Sequence, residues 1–305
     1  MKGRDFLSIS EFSAKELQFI LDETLRIKRS GKKGINLLSK KNLVMIFQKS
    51  STRTRTSFEV AINQLGGYTI PLNWSEMQLG RGETIADTAR TLERYADGII
   101  ARTLSHKDLE ELAKYANIPV INALSDLYHP CQAISDMFTL YERGMTLEKL
   151  KLAWVGDGNN VCNYLLIACS KLGINMTVAS PIGYEPKRKI LNSAKTYASK
   201  TGSKIEVTSD PVKAARGADV IYTDTFISMG AEEERKKRLK AFIPRYQVKT
   251  QLFDHAKKNC VFMHCLPARR GEEVVDKVID GPRSIVWDQT ENRLHAQKGL
   301  LSLLI

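Results

Sequence analysis

Apolar residues along this chain recur with two alternating periods. "NLVMIF" (Asn42 to Phe47) is an unbroken run of strand formers, which predicts a strand buried on both faces of a sheet. Phe58, Ala61, Ile62 and Leu65 then recur at i, i+3, i+4 and i+7 before Gly66, which predicts a helix from near Arg53 to a C-terminal glycine. The same alternation follows in "YTIPL", "TIADTARTLERYA", "GIIAR", "HKDLEELAKYA" and "IPVIN". A second series opens with "KLAWVGDGNNVCNYLLIACSKLG", a strand, a glycine turn and a helix. It runs through "INMTVASP", "KRKILNSAKTYASKTG", "KIEVT", "DPVKAARG" and "ADVIYTDT", with "CVFMHC" and "SIVWDQ" as late strands. Strand and helix in strict succession predict an α/β fold of two doubly wound parallel sheets, joined through a helical pattern from Gln132 to Gly144. Open parallel sheets bind ligands beyond the C-terminal ends of their strands, so the expected active site is an interdomain cleft. "NRLHAQKGLLSLLI" stays apolar to the terminus and is expected to dock on another surface.

The length of 305 residues suits two domains, and 43% hydrophobic with 26% charged residues is a globular composition. No apolar run is long enough to span a bilayer, and the first residues carry neither a signal-peptide nor a transit pattern, so a cytoplasmic protein with no membrane partner is expected. Five cysteines without a C-x-x-C pair suit reduced thiols. The net charge of +12 raises nucleic acid as a partner, but the basic residues are dispersed and interleaved with acids, as in "AEEERKKRLKAF", and no recognition motif accompanies them. Small anionic substrates account for part of that charge more economically.

Candidate chemistry concentrates where strands hand over to helices. In "SSTRTRTSFE", Ser51, Thr52, Arg53, Thr54 and Arg55 sit at a predicted helix N-terminus, where free N–H groups, hydroxyls and arginine forks suit a phosphate. The bland reading is an N-cap with a solvated basic turn. Cations there oppose the helix dipole by about 0.3–1 kcal/mol each unless an anion compensates, which favours the phosphate. Arg102 ends "GIIAR", His129 to Gln132 form "HPCQ", Asp224 to Gly230 form "DTFISMG", and His264 opens "HCLPARRGEE". Taken singly, Arg102 could be a surface arginine, His129 a hydrogen-bonded loop histidine, Met229 a core side chain and Cys265 a small buried hydrophobe. "VGDGNNV" looks like half of a dinucleotide fingerprint, but Val161 stands at the third glycine position and no acid ends the next strand, so a nicotinamide cofactor is not expected.

In this order, "SSTRTRTSFE", "HPCQ", "DGNN", Asp-x-x-x-Ser-Met-Gly and "HCLP" resemble the aspartate/ornithine carbamoyltransferase superfamily along essentially the whole chain, with Ser-Met-Gly and His-Cys-Leu-Pro pointing to its ornithine branch. The resemblance implies transfer of a carbamoyl group from carbamoyl phosphate to L-ornithine, without metal or cofactor, in a homotrimer or a higher multiple of trimers. It implies a carbamoyl phosphate domain over 1–145, completed by about 289–305, and an ornithine domain over 146–288. Ser51, Thr52, Arg53 and Thr54 would hold the phosphate. Arg102 would bridge phosphate and carbonyl oxygen, His129 would hydrogen-bond that oxygen, and Gln132 and Arg293 would reach the carbamoyl amide. Asp224 and Cys265 would position the attacking amine, with the Leu266 carbonyl accepting from amino groups there. Asn160, or else Asn159, together with Ser228 and Met229 would hold the amino acid's α-groups. Gln78 would enter a neighbouring subunit's site. The alternative acceptors are aspartate, putrescine and an acylated ornithine.

Overall fold

The computed structural model describes residues 1–31, 36–227 and 232–305. The chain divides into two compact units, one of residues 1–138 with 292–305 and one of residues 139–291.

The first unit opens with helix α1 (Ala14–Arg29), started by a reciprocal cap in which Ser13 and Glu16 each bond the other's backbone N–H. Its Leu17, Ile20, Leu21 and Ile27 recur on one buried face. There follow β1 (Asn42–Phe47), α2 (Thr52–Gln64), β2 (Tyr68–Asn73), α3 (Ile85–Leu92), β3 (Gly98–Arg102), α4 (His106–Tyr115), β4 (Val120–Leu124) and α5 (Pro130–Glu142), the last running on into the second unit. The four strands are all parallel in the order β2-β1-β3-β4. β1 and β3 lie in the middle and are buried almost throughout, whereas β2 holds an edge, where Pro71 is tolerated and most residues reach solvent.

The second unit holds β5 (Lys151–Val155), α6 (Asn160–Lys171), β6 (Asn175–Ala179), α7 (Arg188–Thr201), β7 (Ile205–Thr208), α8 (Pro211–Ala215), β8 (Val220–Tyr222), α9 (Arg235–Phe242), β9 (Val261–Met263) and α10 (Asp276–Ile279). Its five strands are also parallel, in the order β7-β6-β5-β8-β9. Helix α11 (Val286–Leu304) begins here and ends in the first unit, where Ala296, Leu300, Leu301 and Leu304 are buried. There α11 crosses α1 so closely that a Cβ on Gly299 would stand 2.1 Å from the Thr24 hydroxyl.

Two parallel sheets wrapped by helices are the architecture expected from the alternating pattern. One local expectation fails. "SIVWDQ" is not a strand: only Ser284 bridges to Phe262 of β9, and from Val286 the chain is helical. A short run of apolar residues fits either period, and here the helix continues for 19 residues. The helix α1 lies in a stretch to which the sequence reading assigned no element.

The glycines of "VGDGNNV" have packing reasons. Gly156 has φ +153, and a Cβ on Gly158 would come within 2.3 Å of the Pro186 backbone nitrogen and 2.4 Å of the Glu185 carbonyl carbon. Since that neighbour is backbone and cannot swing aside, Gly158→Ala is expected to destabilise the chain by about 1–3 kcal/mol. Urea denaturation should register this as a lower midpoint, and a midpoint equal to the parent's would show that the turn can yield.

Candidate active site

Three guanidinium groups gather in the first unit. Arg53 lies in the first turn of α2, Arg102 at the C-terminal end of β3 and Arg293 in α11. Ser51 is the N-cap of α2 but makes no side-chain cap; its Oγ accepts from Arg102 Nη1 at 2.8 Å. The Thr54 hydroxyl accepts from Arg293 Nη2, and Thr54 is buried. Arg55, the second arginine of the motif, turns to solvent and pairs with Glu59 at 2.9 Å. The bland reading of the motif therefore describes Arg55 and not Arg53.

The Nε–H groups of Arg53 and Arg102 are buried and have no hydrogen-bond partner among the described residues. Burial, with Arg293 and Arg53 close by, lowers the Arg102 pKa to about 10. An arginine this far below its ordinary value shows that the cations repel one another and have lost water. Such a cradle suits a multiply charged anion whose oxygens accept from several forks at once.

His129 precedes Pro130 and is the residue on which α5 starts: its carbonyl accepts the N–H groups of Gln132 and Ala133 at 3.1 and 3.2 Å. Its imidazole is buried and held well below its ordinary pKa, first by burial and then by Arg293 and Arg102. It is neutral at physiological pH and can donate one N–H without carrying charge. Gln132 is buried in the first turn of α5, its Nε2 donating to Asp136 Oδ1 at 2.8 Å. The intervening Cys131 bonds the Asn122 carbonyl, and burial pushes its thiol up to about 12, so it is a packing residue.

A second cluster lies in the second unit, again beyond strand C-termini. Asp224 follows β8 and Cys265 follows β9, and the Cys265 thiol donates to Asp224 Oδ1 at 3.3 Å. Asn159 caps α6 with its Oδ1 and donates from Nδ2 to Asp224 Oδ2 at 2.8 Å. Burial raises the Asp224 pKa, an effect partly opposed by His264, the Thr225 amide, Cys265 and Asn159. A buried carboxyl of raised pKa is a stronger proton acceptor when ionised than one in water.

Behind it, His264 is fully buried. Its Nδ1 accepts the Leu266 N–H at 2.9 Å, so its Nε2 carries the proton and faces Glu273 Oε1 at 3.2 Å. The pair holds Leu266 in a left-handed conformation, φ +58, uncommon for a branched side chain. One ligand atom each from Asp224, His264 and Cys265 lies within 4.8 Å of the others. A metal ion could use them only if His264 gave up the Leu266 amide or Glu273.

Several expected site residues are not drawn into these clusters. Thr52 is exposed at the start of α2. Gln78 sits exposed on a short 3-10 turn, Gln78–Arg81, with no hydrogen bond to its side chain among the described residues. Asn160, preferred over Asn159 from the sequence, opens α6 half-exposed, whereas Asn159 is the asparagine bonded to Asp224. Ser228 and Met229 lie outside the described residues. The sequence reading assigned no role to Glu273, which lies nine positions after His264.

Residues 4–142 match the family described as aspartate/ornithine carbamoyltransferase, carbamoyl-P binding domain, and residues 148–304 match its Asp/Orn binding domain. A relative from Pyrococcus horikoshii named ornithine carbamoyltransferase is 54% identical over all of this chain and 96% of its own length. One from Pyrococcus furiosus, named ornithine carbamoyltransferase, anabolic, is 53% identical over all of this chain and 97% of its own. The solved structure of ornithine carbamoyltransferase from Pyrococcus furiosus superposes with a TM-score of 0.95 at 53% identity, covering 99% of this chain and 97% of that one. That of the anabolic enzyme from Campylobacter jejuni gives 0.93 at 37% identity, covering 98% of each.

The depressed pKa of His129 has a measurable sign. In the unfolded chain its imidazole gains a proton as the pH falls through about 6.5, while in the folded apo-protein it stays neutral, so acid draws the chain toward unfolding. The His129 ring resonances should stay flat between about pH 8 and 6. A midpoint near the ordinary histidine value would show that the ring is not desolvated as described.

Proposed function

We propose residue roles for a chain that belongs to the aspartate/ornithine carbamoyltransferase family. The reaction is transfer of the carbamoyl group of carbamoyl phosphate to the side-chain amine of L-ornithine, giving L-citrulline and phosphate. Aspartate, putrescine and an acylated ornithine are not favoured as acceptors, because the full-length relatives carry the ornithine name.

The observation that carries the assignment of roles is the convergence of Arg53, Arg102 and Arg293 with buried, unused N–H groups on two of them. The phosphate of carbamoyl phosphate takes that place, held by Ser51, Thr52, Arg53 and Thr54. Arg102 spans phosphate and carbonyl oxygen. The ornithine nitrogen attacks the carbonyl carbon, a C–N bond forms, and the carbonyl oxygen gathers charge in the tetrahedral intermediate. The neutral His129 donates to that oxygen together with Arg102, an oxyanion-hole role. Gln132 and Arg293 orient the carbamoyl amide. The C–O bond to phosphate then breaks, and the leaving phosphate takes the proton that the amine sheds.

Asp224 and the Cys265 thiol position the amine and favour its loss of a proton, while the Leu266 carbonyl accepts from it. Asn160, Ser228 and Met229 hold the α-carboxylate and α-amino groups. Carbamoyl phosphate is already an activated donor, so orientation and charge neutralisation suffice without metal or cofactor. The reading places carbamoyl phosphate on residues 1–145 with about 289–305 and ornithine on 146–288. It also makes the protein a cytoplasmic homotrimer or a multiple of trimers. None of the helices of the described residues is long and apolar enough to cross a membrane.

Arg53→Lys keeps the charge and loses the fork. It is expected to lower kcat/KM for carbamoyl phosphate on the order of 100-fold with an unchanged melting curve. Near-normal citrulline formation by this variant would remove Arg53 from the phosphate site.

The exposed Gln78 supplies a test of the trimer. If it serves a neighbour's site, Arg102→Ala and Gln78→Ala are each nearly inactive as homotrimers. When the two are refolded together in equal amounts, roughly a quarter of the sites recover a full set of ligands. Mixed trimers confirmed by mass that stay as inactive as the parents would withdraw Gln78 from any shared site.

A further inference from the structure

The loop between β4 and His129 is fastened to the start of α4. Ser125 and Tyr128 close a tight turn, Ser125 N–H donating to the Tyr128 carbonyl at 2.9 Å and Tyr128 N–H to the Ser125 hydroxyl at 3.3 Å. The same Ser125 hydroxyl meets His106 Nδ1 at 3.0 Å. The His106 backbone N–H donates to Asp126 Oδ1 at 2.8 Å, and the His106 ring stands edge-on to Tyr128 with centroids 5.3 Å apart. Ser125, Asp126 and Tyr128 of the turn are thus all held by one residue, and the residue that follows the turn is His129. His106 itself lies four residues beyond Arg102, at the other end of the β3-to-α4 connection. That connection is pinned as well, Thr103 N–H donating to Leu124 and Leu104 N–H to Gln48.

We infer that His106 is a positioning residue for carbamoyl phosphate, which fixes the turn that aims His129 relative to Arg102. This rests on the reading of His129 as a donor to the carbamoyl oxygen. Donors to a developing oxyanion must be placed to a fraction of an ångström, and a turn of four residues does not supply that precision by itself. A buried ring with one nitrogen on Ser125 and one face edge on Tyr128 does. His106 and Ser125 are both buried, and the hydroxyl and ring bond each other and the turn. The Nε2 of His106 lies 4.0 Å from Glu110, beyond hydrogen-bond reach, so the ring's bond in this site is the one at Nδ1.

The variants follow from atom positions. An asparagine places an amide atom close to where His106 Nδ1 stands, whereas leucine fills the space and bonds nothing. His106→Leu is expected to raise KM for carbamoyl phosphate and lower kcat, each about tenfold, and to leave KM for ornithine at saturating carbamoyl phosphate unchanged. His106→Asn should restore both to within about threefold of the parent. Ser125→Ala, a smaller change that keeps the chain folded if His106→Leu does not, should reproduce the leucine pattern. Adding it to His106→Leu should cost less than the sum of the two separate changes, because they share the His106–Ser125 bond. With 13C-labelled histidine, the His129 ring resonances should shift in His106→Leu and return in His106→Asn.

Parent-like kinetics in His106→Leu, an asparagine variant no better than leucine, or a fixed His129 resonance in all three would overturn the inference. His129→Asn separates it from the reading beneath it. If that variant keeps parent kinetics, His129 loses its role, and the resonance shift alone then decides whether His106 sets its position.

Discussion

Three neighbouring guanidinium groups that repel one another, Arg293 buried and Arg53 and Arg102 partly so, are the constraint that marks the first unit. Arg53, Arg102 and Arg293 come from the start of α2, the end of β3 and the middle of α11, so the cluster exists only because the sheet and the terminal helix hold those elements together. Hydroxyls of Ser51 and Thr54 take one donor from each of two of them. Burial first, and then Arg293 and Arg53, lower the Arg102 pKa to about 10. An anion of several oxygens placed among them would relieve that repulsion.

His129 depends on the same constraint. The cations that would bind phosphate also keep its imidazole from ionising, which leaves a neutral donor beside a site already rich in positive charge. An imidazolium there would add a fourth repelling cation. The second unit solves the opposite problem around Asp224, whose buried carboxyl is ringed by a thiol, an amide and a backbone N–H, with no basic side chain hydrogen-bonded to it among the described residues. A protonated amine is the natural complement of such a carboxyl. The two clusters thus divide the chemistry by sign: one awaits an anion and the other a cation that must become neutral.

Local pattern was enough for much of this. The strand-helix alternation gave the α/β class and both parallel sheets, because buried parallel strands read as unbroken apolar runs and leave few alternatives. It failed at "SIVWDQ", where six residues fit a strand as well as a helix and only the continuation of α11 decides. The fixed motifs placed Ser51, Arg102, His129, Asp224 and Cys265 at strand ends from spacing alone, and the strand ends are where they lie.

What the sequence by itself determined is therefore the set of residue types at each strand end, since those are local properties of a short stretch. Only the tertiary structure decided which of them meet. It turned Arg55 out to Glu59, bonded Asn159 to Asp224, and set Glu273 behind His264. It also brought Arg293 to Thr54 across 239 positions of chain and set His106 against the turn before His129. Each of these is a contact between residues that no local period relates, and its energy depends on burial that exists only after the sheets and helices have packed.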